Sequence, residues 1–177
     1  MKENRLDWSE NYRVNSGPGE VDMINMNEKM KKAITVANNE DLDTKTIAFL
    51  EEIVSKTKII NDCVIYDDEG IEESDIDWDR IGKFFGDLTG YEVSSNEIRL
   101  WKDEFRTQQY QKIASSLHNM LKNKYRNRRF AVYVCVYEDS IDIRFHTYRI
   151  TEGFWLLEDL NGYEDPIICL WDNEEPE

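Results

Sequence analysis

Apolar positions change period along the chain, and the changes divide it into elements. Residues 1–25 hold no sustained period and carry Gly17-Pro18-Gly19, so an irregular start is predicted. Met30, Ile34 and Ala37 recur at helical spacing and predict a helix from about Asn27 to Ala37, with Asn38-Asn39 ending it. The next helix has a sharper start: Asp43 suits an N-cap, and Leu42 and Ile47 stand where a hydrophobic staple needs them. Ile47, Leu50 and Val54 then face a core, with Glu51-Glu52 outward. Ile59-Ile60 and Cys63-Val64-Ile65-Tyr66 are β-branched or aromatic and predict a strand. Ser74 reads as the cap of a third helix, with Trp78, Ile81, Phe85 and Leu88 on one face and Gly90 as its stop. Ser94 and Glu97 have capping-box spacing and predict a longer helix, along which Ile98, Trp101, Phe105, Ile113, Leu117, Met120, Leu121 and Tyr125 follow. Thr107-Gln108-Gln109 marks a break in that pattern.

At Phe130 the period becomes 2. Phe130 to Tyr137 is apolar on both faces, as a strand covered on both sides must be. Glu138-Asp139-Ser140 is a turn, after which Ile141, Ile143 and Phe145 alternate with Asp142, Arg144 and His146. Phe154–Leu157 and Ile167–Trp171 predict two short strands, with Pro166 opening the second. The expected architecture is a single α+β domain spanning 1–177: N-terminal helices, then a long helix packed on a C-terminal antiparallel β-meander. A sub-boundary near 92 would separate a mainly helical 1–92 from a helix-plus-sheet 93–177.

Charge adds what periodicity does not. The 177 residues include 37 Asp+Glu and 22 Lys+Arg, a formal charge of −15. From Asp62 to Asp79 there are nine acids and no base, and from Glu152 to Glu177 nine more without a base. Arg106 to Phe130 is the reverse, with Lys122, Lys124, Arg126, Arg128 and Arg129 clustered at a helix end. That basic helix end is expected to answer the acids within the fold. A chain so acidic should avoid DNA, RNA and anionic membranes and favour a basic protein. No apolar run of about 18 residues exists, Met1–Trp8 lacks a signal-peptide core, and three cysteines suit a reducing compartment; a cytoplasmic, non-membrane protein is expected.

Catalytic and metal chemistry find little support. Asp75-Ile76-Asp77-Trp78-Asp79 resembles the start of a calcium loop, but its sixth and twelfth places hold Arg80 and Gly86 where Gly and Glu are needed. The two histidines, His118 and His146, form no zinc-spaced motif, and no phosphate loop or nucleophile elbow occurs. Neither metal, cofactor nor enzymatic activity is expected, although a small His-dependent nuclease built on His118 and His146 is a third-ranked alternative. What stands out is the mixing of acids with aromatics, since interfaces draw affinity from a few aromatic anchors and on-rate from complementary charge. The candidate partner-binding residues are Asp67, Asp68, Glu69, Glu72, Glu73, Asp75, Asp77, Trp78 and Asp79, joined by Trp155, Glu158 and Asp159.

Phe145-His146-Thr147-Tyr148-Arg149, then Glu152-Gly153-Phe154-Trp155-Leu156, Glu158-Asp159-Leu160, Tyr163 and Pro166-Ile167, resemble small bacterial immunity proteins. Those neutralise the toxin domains of polymorphic or contact-dependent systems. The likeness covers about the last 65 residues. It implies a cytosolic, non-enzymatic antitoxin that occludes a cognate toxin, often a basic nuclease. The alternative on the same physics is a phage or plasmid protein that mimics DNA to block a host nucleic-acid-binding protein.

Overall fold

A computed structural model describes residues 13–15, 21–36, 41–102 and 109–172. The order is β1 (Arg13–Asn15), β2 (Val21–Met26), α1 (Glu28–Val36), α2 (Thr44–Ser55), β3 (Thr57–Ile60), β4 (Cys63–Tyr66), α3 (Trp78–Phe85), α4 (Leu88–Ser95) and β5 (Ile98–Trp101). There follow α5 (Tyr110–Lys124), β6 (Phe130–Val136), β7 (Ser140–Thr147) and β8 (Ile167–Asp172). Six strands make one antiparallel sheet in the order β1-β2-β8-β6-β7-β5, and β3 with β4 makes a second, two-stranded one. The fold is α+β, with the long helix laid on the antiparallel sheet.

The all-apolar run Phe130–Val136 is explained by its place at the sheet centre. Phe130, Val132, Val134 and Val136 enter a large core with Ile113, Leu117 and Leu121 of α5, Leu50 and Ile53 of α2, and Ile141, Ile143 and Phe145 of β7. Ala131, Tyr133 and Cys135 point the other way, into a smaller core with Met23, Leu160, Ile167, Cys169 and Trp171. Helices cover the first face, and the irregular segment carrying Phe154, Leu156 and Tyr163 covers the second. Strand alternation then puts Asp142, Arg144 and His146 on that second face. The larger core draws residues from Ile24 to Leu170, on both sides of residue 92.

Several elements depart from the sequence reading. Part of the N-terminal stretch expected to be irregular is β1 and β2, and β2 pairs with β8 from Asp22↔Asp172 to Met26↔Ile168. The strand expected over Ile59–Tyr66 is a hairpin, turned by Asn61 and Asp62 at φ of 42° and 69°. Two positive φ values in succession define the turn whose twist matches a hairpin, and Asn and Asp tolerate that region better than most residues. The third helix is not one piece. Asp77, not Ser74, caps α3 by accepting from Arg80 N, Gly86 stops it at φ 84°, and Asp87 caps α4 by accepting from Gly90 N. Ser94 and Glu97 open no helix: Ser94 lies in α4, and Ile98–Trp101 is the edge strand β5, alternately buried and exposed. The long helix begins at Tyr110; Phe105, Thr107 and Gln108 lie outside the described residues, as do Ala37 to Asn39. Phe154–Leu157 forms no strand.

Candidate functional site

The acidic run begins as a folded loop. Asp67 Oδ1 accepts backbone N–H bonds from Glu69, Gly70 and Ile71 at 3.2, 2.7 and 3.0 Å, while its other oxygen meets Lys58 Nζ at 2.6 Å. The Lys58 ammonium, with those backbone donors, holds the Asp67 carboxyl down to about 2. Asp67 is thus a loop organiser, its side chain only 7% exposed. Asp68 pairs with Lys56 at 2.5 Å. Glu72 and Asp75 cap the single turn Glu73–Asp75 reciprocally, Asp75 Oδ2 accepting from Glu72 N at 3.0 Å. Asp77 is spent on the α3 cap, and Asp79 lies in the first turn of α3, where a carboxylate suits the helix dipole. Among the described residues no cation pairs with Glu69, Glu72, Glu73, Asp75, Asp77 or Asp79.

Helix α3 buries no residue. Trp78 and Phe85 set their edges against Tyr91 of α4 at 5.6 and 5.8 Å between ring centres, and Phe84 stands 78% exposed. The far end of α3 opens onto a groove of about 480 Å³ walled by Phe84, Phe85, Phe154 and Trp155, with Thr89 and Arg144 also lining it. Trp155 therefore reaches the end of the helix that carries Trp78, but Glu158 and Asp159 do not join them. Glu158 borders a small cleft with Asn25, Phe154 and Leu157, and Asp159 caps the turn Leu160–Gly162 by accepting from Asn161 N at 3.0 Å.

Behind this surface lies a buried polar network that sequence reasoning missed. Glu92 of α4 has no exposed surface, yet its carboxylate accepts from Val64 N at 2.7 Å, Thr147 Oγ1 at 2.8 Å and Arg149 Nη1 at 2.8 Å. One turn on, Asn96 accepts from Tyr66 N and donates to the carbonyls of Val64 and Phe145. The side chains of Glu92 and of Asn96, the C-cap of α4, thereby satisfy the edge of β4 that no strand pairs. Arg149 also reaches Asp62 at 3.6 Å and Glu152 at 3.7 Å, and Glu152 accepts from Thr89 N and Oγ1. Burial pushes the Glu92 carboxyl up, against the opposing pull of Arg149 and the Val64 and Thr147 donors.

The two histidines are buried on opposite faces of the large sheet. His146 Nδ1 lies 2.8 Å from the Thr147 carbonyl, which can only accept, so that nitrogen carries the proton and Nε2 accepts from Tyr133 OH at 3.1 Å. Tyr133 OH in turn accepts from Trp155 N at 3.3 Å. Burial depresses the His146 pKa to about 4. His118 sits under α5 with Nε2 3.4 Å from Asp172, which Lys122 approaches to 2.5 Å. Burial would raise the Asp172 pKa, but His118 and Lys122 hold it below the usual carboxylate range. A paired His118–His146 acid–base centre does not exist in this arrangement.

The basic helix end is committed internally. Lys122 meets Asp172, Lys124 Nζ donates to the carbonyls of Val54 and Thr57, Arg128 pairs with Asp62 at 2.7 Å, and Arg129 lies over the Tyr148 ring. Burial pushes all three thiols up, Cys63 and Cys135 to about 12, so none is a thiolate at neutral pH. Among the described residues no helix is long and apolar enough to cross a membrane, and no three His, Cys, Asp or Glu are placed to hold a metal. Neither the curated proteins nor the solved structures include a match to the chain. A family model matches residues 25–176, and the chain belongs to that family, the Uncharacterized protein PM0498 family.

Proposed function

We propose that this chain is a cytoplasmic immunity protein that inhibits a basic toxin domain, a nuclease by preference, by covering its nucleic-acid-binding surface. One observation carries the reading. Glu69, Glu72, Glu73, Asp75, Asp77 and Asp79 lie together on one loop and helix start without cationic partners among the described residues, and Phe84 stands exposed on the same helix. Carboxylates so placed substitute for phosphates, and the aromatic closes the contact against water. Charge complementarity of this kind raises association toward about 10⁸–10⁹ M⁻¹s⁻¹ at low salt. The likeness of residues 145–167 to immunity proteins points the same way.

The test must spare the acids that cap structure. Asp75 and Asp77 hold helical turns, so reversing them would confound folding with binding. Glu69→Lys, Glu73→Lys and Asp79→Lys combined reverse the face without removing a cap. The basic protein encoded beside the gene is co-expressed with either version in a bacterial host. Relief of growth arrest by the wild type and its loss in the triple variant are expected. Equal protection by both would end the proposal.

A further inference from the structure

We infer that the groove between α3 and Trp155 is a binding site for a small monocarboxylic acid carrying a flat apolar group. This site shares Phe84 with the proposed partner face but uses none of that face's carboxylates.

Arg144 makes the case. Its side chain is 17% exposed, its guanidinium lies 5.1 Å from the centre of the Trp155 ring, and Glu97 Oε2 meets one terminal nitrogen at 2.6 Å. A guanidinium carries five N–H donors in a rigid fork. Among the described residues no second carboxylate pairs with it, so most of its five donors are left over at the groove that Arg144 lines. The Glu97 ion pair and the cation–π approach to Trp155 hold the fork in place, so less side-chain freedom is lost when a carboxylate docks.

The walls define the rest of the ligand. Phe84, Phe85, Phe154 and Trp155 line a groove of about 480 Å³, within the size range of small-molecule sites, together with the polar Asp87, Thr89 and Ser94. Trp155 itself is held from behind, its backbone N–H bonded to Tyr133 OH, which is bonded to buried His146. The aromatic wall is therefore preset by a hydrogen-bond chain in the smaller core.

Charge excludes the commoner anions. Glu97 already offsets part of the Arg144 charge, Asp87 borders the same groove, and the chain carries −15 overall. A phosphate or nucleotide, with two or more charges, meets one half-neutralised arginine against that field and is disfavoured. One negative charge on an apolar body fits.

The probe is 3-phenylpropionate, titrated through the millimolar range into the full ¹⁵N-labelled chain, with 3-phenylpropanamide and acetate as partners lacking the charge or the ring. Saturable shifts are expected at the Trp155 indole N–H, assigned by its loss in Trp155→Phe, and at Arg144 Nε–H. The amide and acetate should each bind about tenfold more weakly. Arg144→Gln should weaken the acid about tenfold, and Arg144→Lys less, because charge survives but the fork does not. Equal binding of acid and amide to the wild type, saturation at other residues, or no saturable shift would each overturn the inference. The amide comparison needs no variant, so a misfolded Arg144→Gln leaves the test intact. In the Glu69→Lys, Glu73→Lys, Asp79→Lys chain the acid should still bind, which separates this result from the fate of the immunity reading.

Discussion

Truncating Glu92 to alanine should be among the most damaging single changes in the molecule, and its size can be worked from contacts. The change removes the acceptor of the Val64 N–H at 2.7 Å and of the Thr147 hydroxyl at 2.8 Å. It also strips Arg149 of a carboxylate at 2.8 Å whose side chain is fully buried. An unsatisfied buried donor costs about 1–3 kcal/mol, and breaking a buried ion pair about 3–5 kcal/mol. These overlap, because Asp62 and Glu152 remain near Arg149 at 3.6 and 3.7 Å. The expected loss is therefore about 3–5 kcal/mol, and at this chain length each kcal/mol lowers the melting temperature by roughly 2–4 °C. Glu92→Gln keeps an acceptor for Val64 and Thr147 and should lose only about 1–2 kcal/mol. Urea unfolding of wild type, both variants, Glu92→Leu, Arg149→Met and the Glu92→Leu/Arg149→Met double mutant checks the coupling. The double mutant should be less destabilised than the sum of its singles by at least about 1 kcal/mol. A loss below about 1 kcal/mol for Glu92→Ala, or strict additivity in the cycle, would refute the claim that this network clamps β4 to α4 and β7.

His146 should make stability depend on acid. Its folded pKa lies near 4 against an unfolded 6.5, so the unfolded chain takes up the proton first; stability is full above pH 6.5 and falls by about 3 kcal/mol as pH drops toward 4. His146→Gln should flatten that part of the curve, and an unchanged slope would show that another group titrates there. Asp77→Ala should expose the first amides of α3 to hydrogen exchange at a cost of about 1 kcal/mol, whereas Ser74→Ala should leave them unchanged. The reverse result would restore Ser74 as the cap.

What could be read from the chain follows how local each signal is. Asp43 was legible as a cap because its acceptor role toward Thr46 N lies within three residues. Phe130–Val136 was legible because a strand covered on both faces has no polar side to spare. Ile98–Trp101 was not, since four residues fit either period, and only pairing with β7 decides for a strand. The join of β2 to β8 escaped for the same reason at greater range. In the candidate site, the charge and aromatic content of residues 67–79 were visible, but the division of labour among the acids was not. Asp67 with Gly70 three residues on is a local loop signal that could have been used. Glu92 carried no such signal, because its donors lie 28, 55 and 57 residues away.

The position of β8 has a consequence for how the protein is made. It lies between β2 and β6, so Met23 waits for Trp171 as its partner. A ribosome delivers β8 after every other described strand, and until then β2 and β6 each present an unpaired edge and an apolar face. The main sheet therefore cannot close until residues 167–172 have emerged, and its closure depends on contacts distant in sequence. The acidic run, already emerged by then, keeps the waiting chains apart by mutual repulsion. The same carboxylates proposed to meet a basic target would thus also guard the protein during its own birth.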